Sequence, residues 1–300
     1  MTSSQTVLDV LSEQQLRPRK RDPLGLRNFV RTAPLGAIGA VLVIAMAAIA
    51  ILAPWISPYS PSAITIGDRL MAPSSEHWMG TDNLGRDVLS RLMHGARLSL
   101  SVSFFAVAIG ATAGSIIGLV SGFMGGKVDF LVQRVMDILQ AFPLLVLALV
   151  IVSMLGASFQ NIVAAIAIVL IPGYSRVSRA ATISVRQLPY VEAAQTIGAW
   201  TPRIMARHIV PNIMAPLLVL ATASLGSAIL VETSLSFLGL SASPTQPSLG
   251  GMLSVEGRSA FQDAPWLAIF PGLAISLVVL GFNLAGDGLR DAWDPALRAR

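Results

Sequence analysis

The chain contains no cysteine. Disulfides, thiolate nucleophiles and cysteine-ligated metals are therefore excluded, and the sequence carries no mark of redox compartment. Charge is scarce as well. Asp, Glu, Lys and Arg make up 12% of the 300 residues, against about 25% in an average soluble protein. The only lysines are Lys20 and Lys127. A phosphate-cradling loop needs G-x-x-x-x-G-K-[ST]. Here Gly126-Lys127 has Ser121 at the position of the first glycine and Val128 after the lysine, so the pattern fails at both ends. Any ATP must be held by another chain. The histidines His77, His94 and His208 never stand three or four residues apart, which argues against a metal site. No G-x-S-x-G elbow is present to suggest a serine hydrolase.

What remains is apolar: 54% of the residues are hydrophobic. They collect in runs long enough to cross a hydrocarbon core of about 30 Å, so an all-α polytopic membrane protein in contact with lipid is expected. Six spans are read at 35–56, 98–120, 130–155, 161–181, 213–232 and 266–285. The fourth is short in its strictly apolar part, and Pro172-Gly173 interrupts it. A buried or tilted helix fits that pattern better than a lipid-facing one. Residues 1–33 are polar and basic, with Arg17, Arg19, Lys20, Arg21, Arg27 and Arg31. They are read as a cytoplasmic tail, with an interfacial helix near 24–30, ahead of a permease domain at 34–297. A cleaved leader is not expected, because the charged stretch is long and no small-residue cleavage site follows.

Six spans put both termini on one side. With the N-terminus inside, the inner segments hold 16 of the 21 Lys and Arg and the outer ones five, namely Arg69, Arg86, Arg91, Arg97 and Arg258. The positive-inside rule favours that orientation. The formal net charge of +5 thus sits beside membrane segments, and no nucleic-acid partner is expected.

The orientation also places in the cytoplasm a polar interruption at 186–211, RQLPYVEAAQTIGAWTPRIMARHIVP. Two short helices are expected in it. The first runs over 189–197 and is stopped by Gly198, since glycine adopts the left-handed conformation at least cost. The second opens with Thr201 as N-cap and Pro202 at the first helical position. Pro211 marks the entry to the next span. Glu192-Ala193-Ala194, three residues, Gly198, nine residues and then His208-Ile209-Val210-Pro211 resembles the EAA loop of bacterial ABC importer permeases, with His208 and Val210 replacing the pattern's Ile and Leu.

A longer likeness lies outside that loop. The segment at 80–102, GTDNLGRDVLSRLMHGARLSLSV, closely resembles the stretch before the second helix in the dipeptide and oligopeptide (peptide/nickel) branch of that family. Read by itself, it is an interfacial helix after Gly85, with Leu84, Val88, Leu89 and Leu92 on one face and Asp87 paired with Arg91 at i,i+4. Gly125 to Asp129, SLSFLGL at 234–240, PSLGGML at 247–253 and FNLAGDGLRDAWDP at 282–295 resemble other parts of that branch. The likeness covers about 35–297 and is to its C-type permease.

The resemblance implies a type I (MetI-like) permease fold in the bacterial inner membrane. It also implies a second homologous permease, ATP-binding subunits that carry ATP and Mg, and an extracytoplasmic solute-binding protein. The chain itself would bind no cofactor and catalyse nothing. Glu192, Ala193, Ala194, Gly198, Thr201, Pro202, His208 and Pro211 would couple to the ATPase, with both alanines fitting its groove. The cargo would be a di- or oligopeptide, glutathione, nickel or a similar small solute.

Beyond Arg176 and Arg179 at the inner end of the fourth span, three charges within the spans are singled out: Arg134 and Asp137 near the inner end of the third, and Glu232 near the outer end of the fifth. Each needs a partner or an interface, since a charge at mid-bilayer costs roughly 2.5–3.5 kcal/mol on insertion scales. Arg134 and Asp137 are read as a pair on one helix face. Glu232 either reaches outward to the membrane surface or touches the cargo in the pathway. The rival functions are an ion-coupled secondary transporter, for which several mid-span acids would be expected, and an exporter or scaffold that uses no binding protein.

Overall fold

The computed structural model describes residues 33–243, 245–254 and 262–293. All but the last residue of the expected N-terminal tail, the helix at 24–30, and Arg258, Arg298 and Arg300 lie outside the described residues. Within them the secondary structure is helical apart from one isolated bridge between Thr81 and Asp87. The helices are α1 (Pro34–Ile56), α2 (Val88–Met124), α3 (Gly126–Gln140), α4 (Leu144–Leu155), α5 (Phe159–Arg186), α6 (Pro189–Thr196), α7 (Thr201–Ile204), α8 (Val210–Phe237), α9 (Leu249–Leu253) and α10 (Trp266–Trp293). A π turn at Met205–Ile209 joins α7 to α8, and a short 3₁₀ turn lies at Ile66–Asp68. Five helical segments are long and apolar enough to cross a membrane, and α3 with α4 makes a sixth if that bent pair is one span.

That pair is the main departure from the expected spans. The stretch 130–155 is not one rod. It breaks between Gln140 and Leu144, and its halves meet at 87°. Pro143 removes a backbone donor and disfavours helical geometry at Phe142. The first half is also too polar for mid-bilayer. Lys127, Asp129, Gln133, Arg134, Asp137 and Gln140 all sit on α3, so lying across the end of the bundle keeps its charges near water. The second half, α4, has only 12 residues, about 18 Å of helix, too short to cross alone.

The fourth span runs unbroken as α5 with Pro172 inside it. Half of its most apolar stretch is buried within the chain, in line with the buried placement expected. Its packing against α2 is the most extensive among the described helices and rests on matched ladders. Gly110, Gly114, Gly118 and Gly122 recur every fourth residue on α2. A Cβ on them would come within 2.9, 2.5, 2.2 and 2.9 Å of the carbonyl oxygens of Ala167, Ile171, Ser175 and Arg179 respectively. Without the glycines the two backbones could not approach this closely. Ser178 donates from Oγ to the Ser115 carbonyl at 2.7 Å across the same seam. α1 and α10 close similarly, with a Cβ on Gly36 reaching 2.4 Å from Gly288 Cα.

The segment before α2 forms a buried polar knot. α2 does not begin at Gly85 but at Val88, with Asp87 as its cap, so Leu84 stays outside the helix. Asp87 Oδ2 accepts from Ser90 N at 2.8 Å, and its Oδ1 lies 2.9 Å from His77 Nδ1. Arg91 directs its Nε to Asp82 at 3.3 Å, where the expected local partner was Asp87. Asp82 also accepts from Leu84 N, Arg86 N and Arg86 Nε at 2.8, 3.0 and 2.6 Å. We expect Asp87→Ala to cost about 1–2 kcal/mol, the usual worth of a helix N-cap. Thermal unfolding in detergent checks this, and an unchanged midpoint would show that the cap is dispensable.

Candidate functional site

α2 and α5 run parallel, since Gly110 to Gly122 meet Ala167 to Arg179 in the same order, so the loop after α5 lies at the end of the bundle where α2 finishes, opposite the polar knot that precedes α2. It stands on a foundation of its own. Val191, Ala194, Ile204 and Ile209 are buried and pack with Phe123, Tyr174, Ile213 and Leu217 in a single cluster. Arg186 locks its entry, donating from Nη1 to the Phe123 carbonyl at 2.6 Å while its guanidinium lies 5.2 Å from the centre of that phenylalanine's ring. The bond satisfies one of the carbonyls left free where α2 ends.

The turn between α6 and α7 has the Schellman pattern. Gly198 N donates to Gln195 O at 3.0 Å and Ala199 N to Ala194 O at 3.1 Å, with Gly198 at φ +76°. This is the left-handed stop expected from the sequence. Among the described residues no atom lies within 4 Å of a Cβ built on Gly198, so within this chain the conformation is what demands glycine there. Alanine in that conformation costs about 1–2 kcal/mol. We therefore expect Gly198→Ala to lower transport and Gly198→Asn, which tolerates φ above zero, to retain more of it. Uptake by the two variants at matched expression tests this ordering, and equal activity would remove the conformational role.

Three expectations for the loop need correction. Ala194 is 8% exposed and packs inside its own chain, so only Ala193 of the two alanines remains exposed to a partner. Helical packing explains this: Val191 and Ala194, three apart, share the inward face of α6. Thr201 is not the cap. Trp200 holds that place with extended geometry and no side-chain bond, and Thr201 and Pro202 are the first helical residues. Finally, α7 does not stop before the fifth span but continues into it, giving one rod at Thr201–Phe237. Pro211 has no N–H to offer Arg207, and the π turn absorbs the mismatch, with Val210 N bonding to Met205 O. His208 lies in that turn, 6.1 Å from Tyr190 between ring centres. Asn212 Nδ2 bridges the two, donating to the His208 carbonyl at 2.6 Å and the Tyr190 hydroxyl at 3.2 Å. Glu192 is exposed in the first turn of α6, where a carboxylate favours the helix dipole.

The outermost residues were not among those singled out from the sequence. Ile197 is 83% exposed and Trp200 75%, and they flank Gly198 at the tip. They occupy unspecified positions of the EAA pattern. The available signal was two large apolar residues in a loop that spans nothing.

The intramembrane charges also differ from expectation. Asp137 pairs with Arg176 of α5 at 2.6 Å, and Arg134 is exposed. A partner 39 residues away in sequence is invisible to i,i+3 spacing. Alongside, Arg179 grips Asp129 through two bonds, and Ser121 donates to the same carboxylate, fastening α3 to α5. Glu232 does not reach outward, being 0% exposed. Ser236 donates to its Oε1 at 2.9 Å, while Oε2 has no hydrogen-bond partner of good geometry among the described residues. α9 closes over it. Leu249 N donates to Ser99 Oγ at 3.4 Å, and a Cβ on Gly250 would lie 2.1 Å from Thr233 O.

Residues 114–299 match the model of the binding-protein-dependent transport system inner membrane component. The chain belongs to that family. Residues 27–73 match the N-terminal transmembrane domain of oligopeptide transport permease C. A dipeptide transport system permease protein of Alkalihalophilus pseudofirmus is 45% identical over 88% of this chain and 87% of its own length. A glutathione transport system permease protein of Pectobacterium atrosepticum is 43% identical, covering 91% and 90%. A probable D,D-dipeptide transport system permease protein of Escherichia coli is 40% identical, covering 95% and 97%. Among solved structures, an amino acid ABC transporter aligns with a TM-score of 0.48 and 19% identity over 64% of this chain and 89% of that one. The chain is thus a permease component of an ABC importer in the inner membrane, and not an enzyme.

Proposed function

We propose that this permease and a second homologous permease enclose a pathway for di- or oligopeptides, fed by an extracytoplasmic solute-binding protein. ATP and Mg are bound by separate subunits that dock on the cytoplasmic loop between α5 and α8. The peptide assignment rests on the relatives, which are permeases for a dipeptide, a D,D-dipeptide and glutathione. The docking assignment is carried by one observation, a loop with a rigid buried base and an apolar, exposed tip. Such a tip is costly in water and marks a partner surface.

Closure of the ATPase dimer moves the tip. The base passes that motion to α2, α5 and α8, and the pathway turns from one side of the membrane to the other. Purification of the chain from solubilised native membranes tests the assembly. ATP-binding subunits and a second permease should co-purify, and dipeptide uptake should stop when the ATPase is inactivated. A chain that purifies alone and transports with an ion gradient would sink this reading in favour of a secondary transporter.

A further inference from the structure

The break between α3 and α4 does more than bend a span. It opens a cavity of about 460 Å³, within the roughly 300–1,000 Å³ of small-molecule sites. Gln140, Phe142 and Leu144 line it from the bend, Gly173 and Tyr174 from α5, and Ser224 from α8. No charged side chain is among the lining residues.

Tyr174 is 1% exposed, yet among the described residues its hydroxyl has no hydrogen-bond partner of good geometry. The Ser224 hydroxyl stands beside it. A buried tyrosine hydroxyl left unpaired is costly and calls for a ligand or water. The third contribution is backbone. α4 starts at the bend with no side-chain cap, and its first intrahelical bond there runs from Leu147 N to Pro143 O. The amides of Leu144, Leu145 and Val146 therefore have no carbonyl within the helix, and the positive end of a half-helix lies at the cavity. Hydroxyl donors and a helix N-terminus favour an anionic oxygen and disfavour an ammonium group.

We propose that this niche is an intramembrane station for the cargo, taking the carboxylate end of a short peptide on Tyr174 Oη, Ser224 Oγ and the first turn of α4. The proposal rests on the peptide-importer reading above. Its position suits a passing load. It lies midway along α5 and α8, and neutral donors hold a carboxylate without the grip of a buried arginine.

The absence of cysteine supplies the test. In the complete transporter, reconstituted in liposomes with its partner subunits, Ser224→Cys introduces the only thiol of this subunit. Its reaction with N-ethylmaleimide can be read on this chain by mass spectrometry. We expect labelling, slowed at least fivefold by saturating alanyl-alanine and not by alanyl-alanine amide. Tyr174→Phe should remove the protection. By itself it should slow uptake of radiolabelled alanyl-alanine at least tenfold, with the complex still assembled. A thiol that is inert, or equally reactive with and without dipeptide in a transporter that imports it, overturns the niche and leaves the importer standing; the second result marks a water-filled cavity. Equal protection by the amide overturns the carboxylate assignment, and unchanged uptake by Tyr174→Phe overturns the role of that hydroxyl. A wild-type transporter that imports no dipeptide overturns the peptide reading, and this proposal with it.

Discussion

The double variant Ile197→Asp, Trp200→Ala is expected to lose ATP-driven uptake while folding and inserting normally. Both side chains are largely exposed, at 83% and 75%, and neither belongs to the buried cluster that anchors the loop. Substituting them therefore removes little that the isolated chain uses. For a partner the balance is different. An apolar anchor beside a tryptophan is a typical interface hot spot, and truncation at such positions costs about 2 kcal/mol or more each. Two of them, with a carboxylate introduced where apolar contact is needed, amount to roughly 4 kcal/mol, a loss of several hundred-fold in affinity. The measurement is co-purification of the ATP-binding subunits, with uptake measured in parallel. Full retention of both would place the docking surface elsewhere.

The second large effect is expected at Gly118. A Cβ there would lie 2.2 Å from the Ser175 carbonyl oxygen and 2.9 Å from Arg179 N. Both are backbone atoms, so no side-chain rotation relieves the clash and α2 must move away from α5. Gly118→Leu should cost several kcal/mol, above the 1–3 kcal/mol usual for an overpacked core, because the bond from Ser178 to the Ser115 carbonyl and the neighbouring glycine contacts are lost together. Little folded protein should accumulate, and what does should unfold at markedly lower temperature in detergent. Gly272→Ala is the control. Among the described residues no atom lies within 4 Å of a Cβ at that position, so its unfolding temperature should hold or rise slightly, since alanine is the better helix former. A stable Gly118→Leu protein would mean that the glycine ladder does not set the helix separation.

Much of the architecture was legible in the sequence because membrane insertion leaves a coarse, long-range signature. Runs of apolar residues gave the helices, and Gly198 gave its turn through a conformation that only a few residue types tolerate. The misreadings share a different cause. The bend in the third span depends on whether α3 can leave the bilayer core, which hydropathy averaged over the whole run conceals. The pairing of Asp137 with Arg176 and the burial of Glu232 under α9 are set by neighbours far away in sequence. The ladder Gly110, Gly114, Gly118, Gly122 is visible as a four-residue repeat, but its partner helix is not. Ile197 and Trp200 sat in a motif whose lettered positions drew the eye inward. Of those letters, Ala194 turns out to help build the base, together with the unlettered Val191, Ile204 and Ile209, and the unlettered Ile197 and Trp200 form the tip.

The π turn at Met205–Ile209 has a geometric consequence of its own. One residue in an α-helix is about 100° of rotation, and a π turn accommodates one residue more than the α path would. It therefore acts as an angular offset between loop and membrane helix. The faces of α7 and α8 are set in azimuth by that one extra residue, while the rod from Thr201 to Phe237 remains continuous. The direction in which Trp200 points and the direction in which Ser224 and Glu232 point are thus fixed relative to one another, like two cranks keyed to a single shaft.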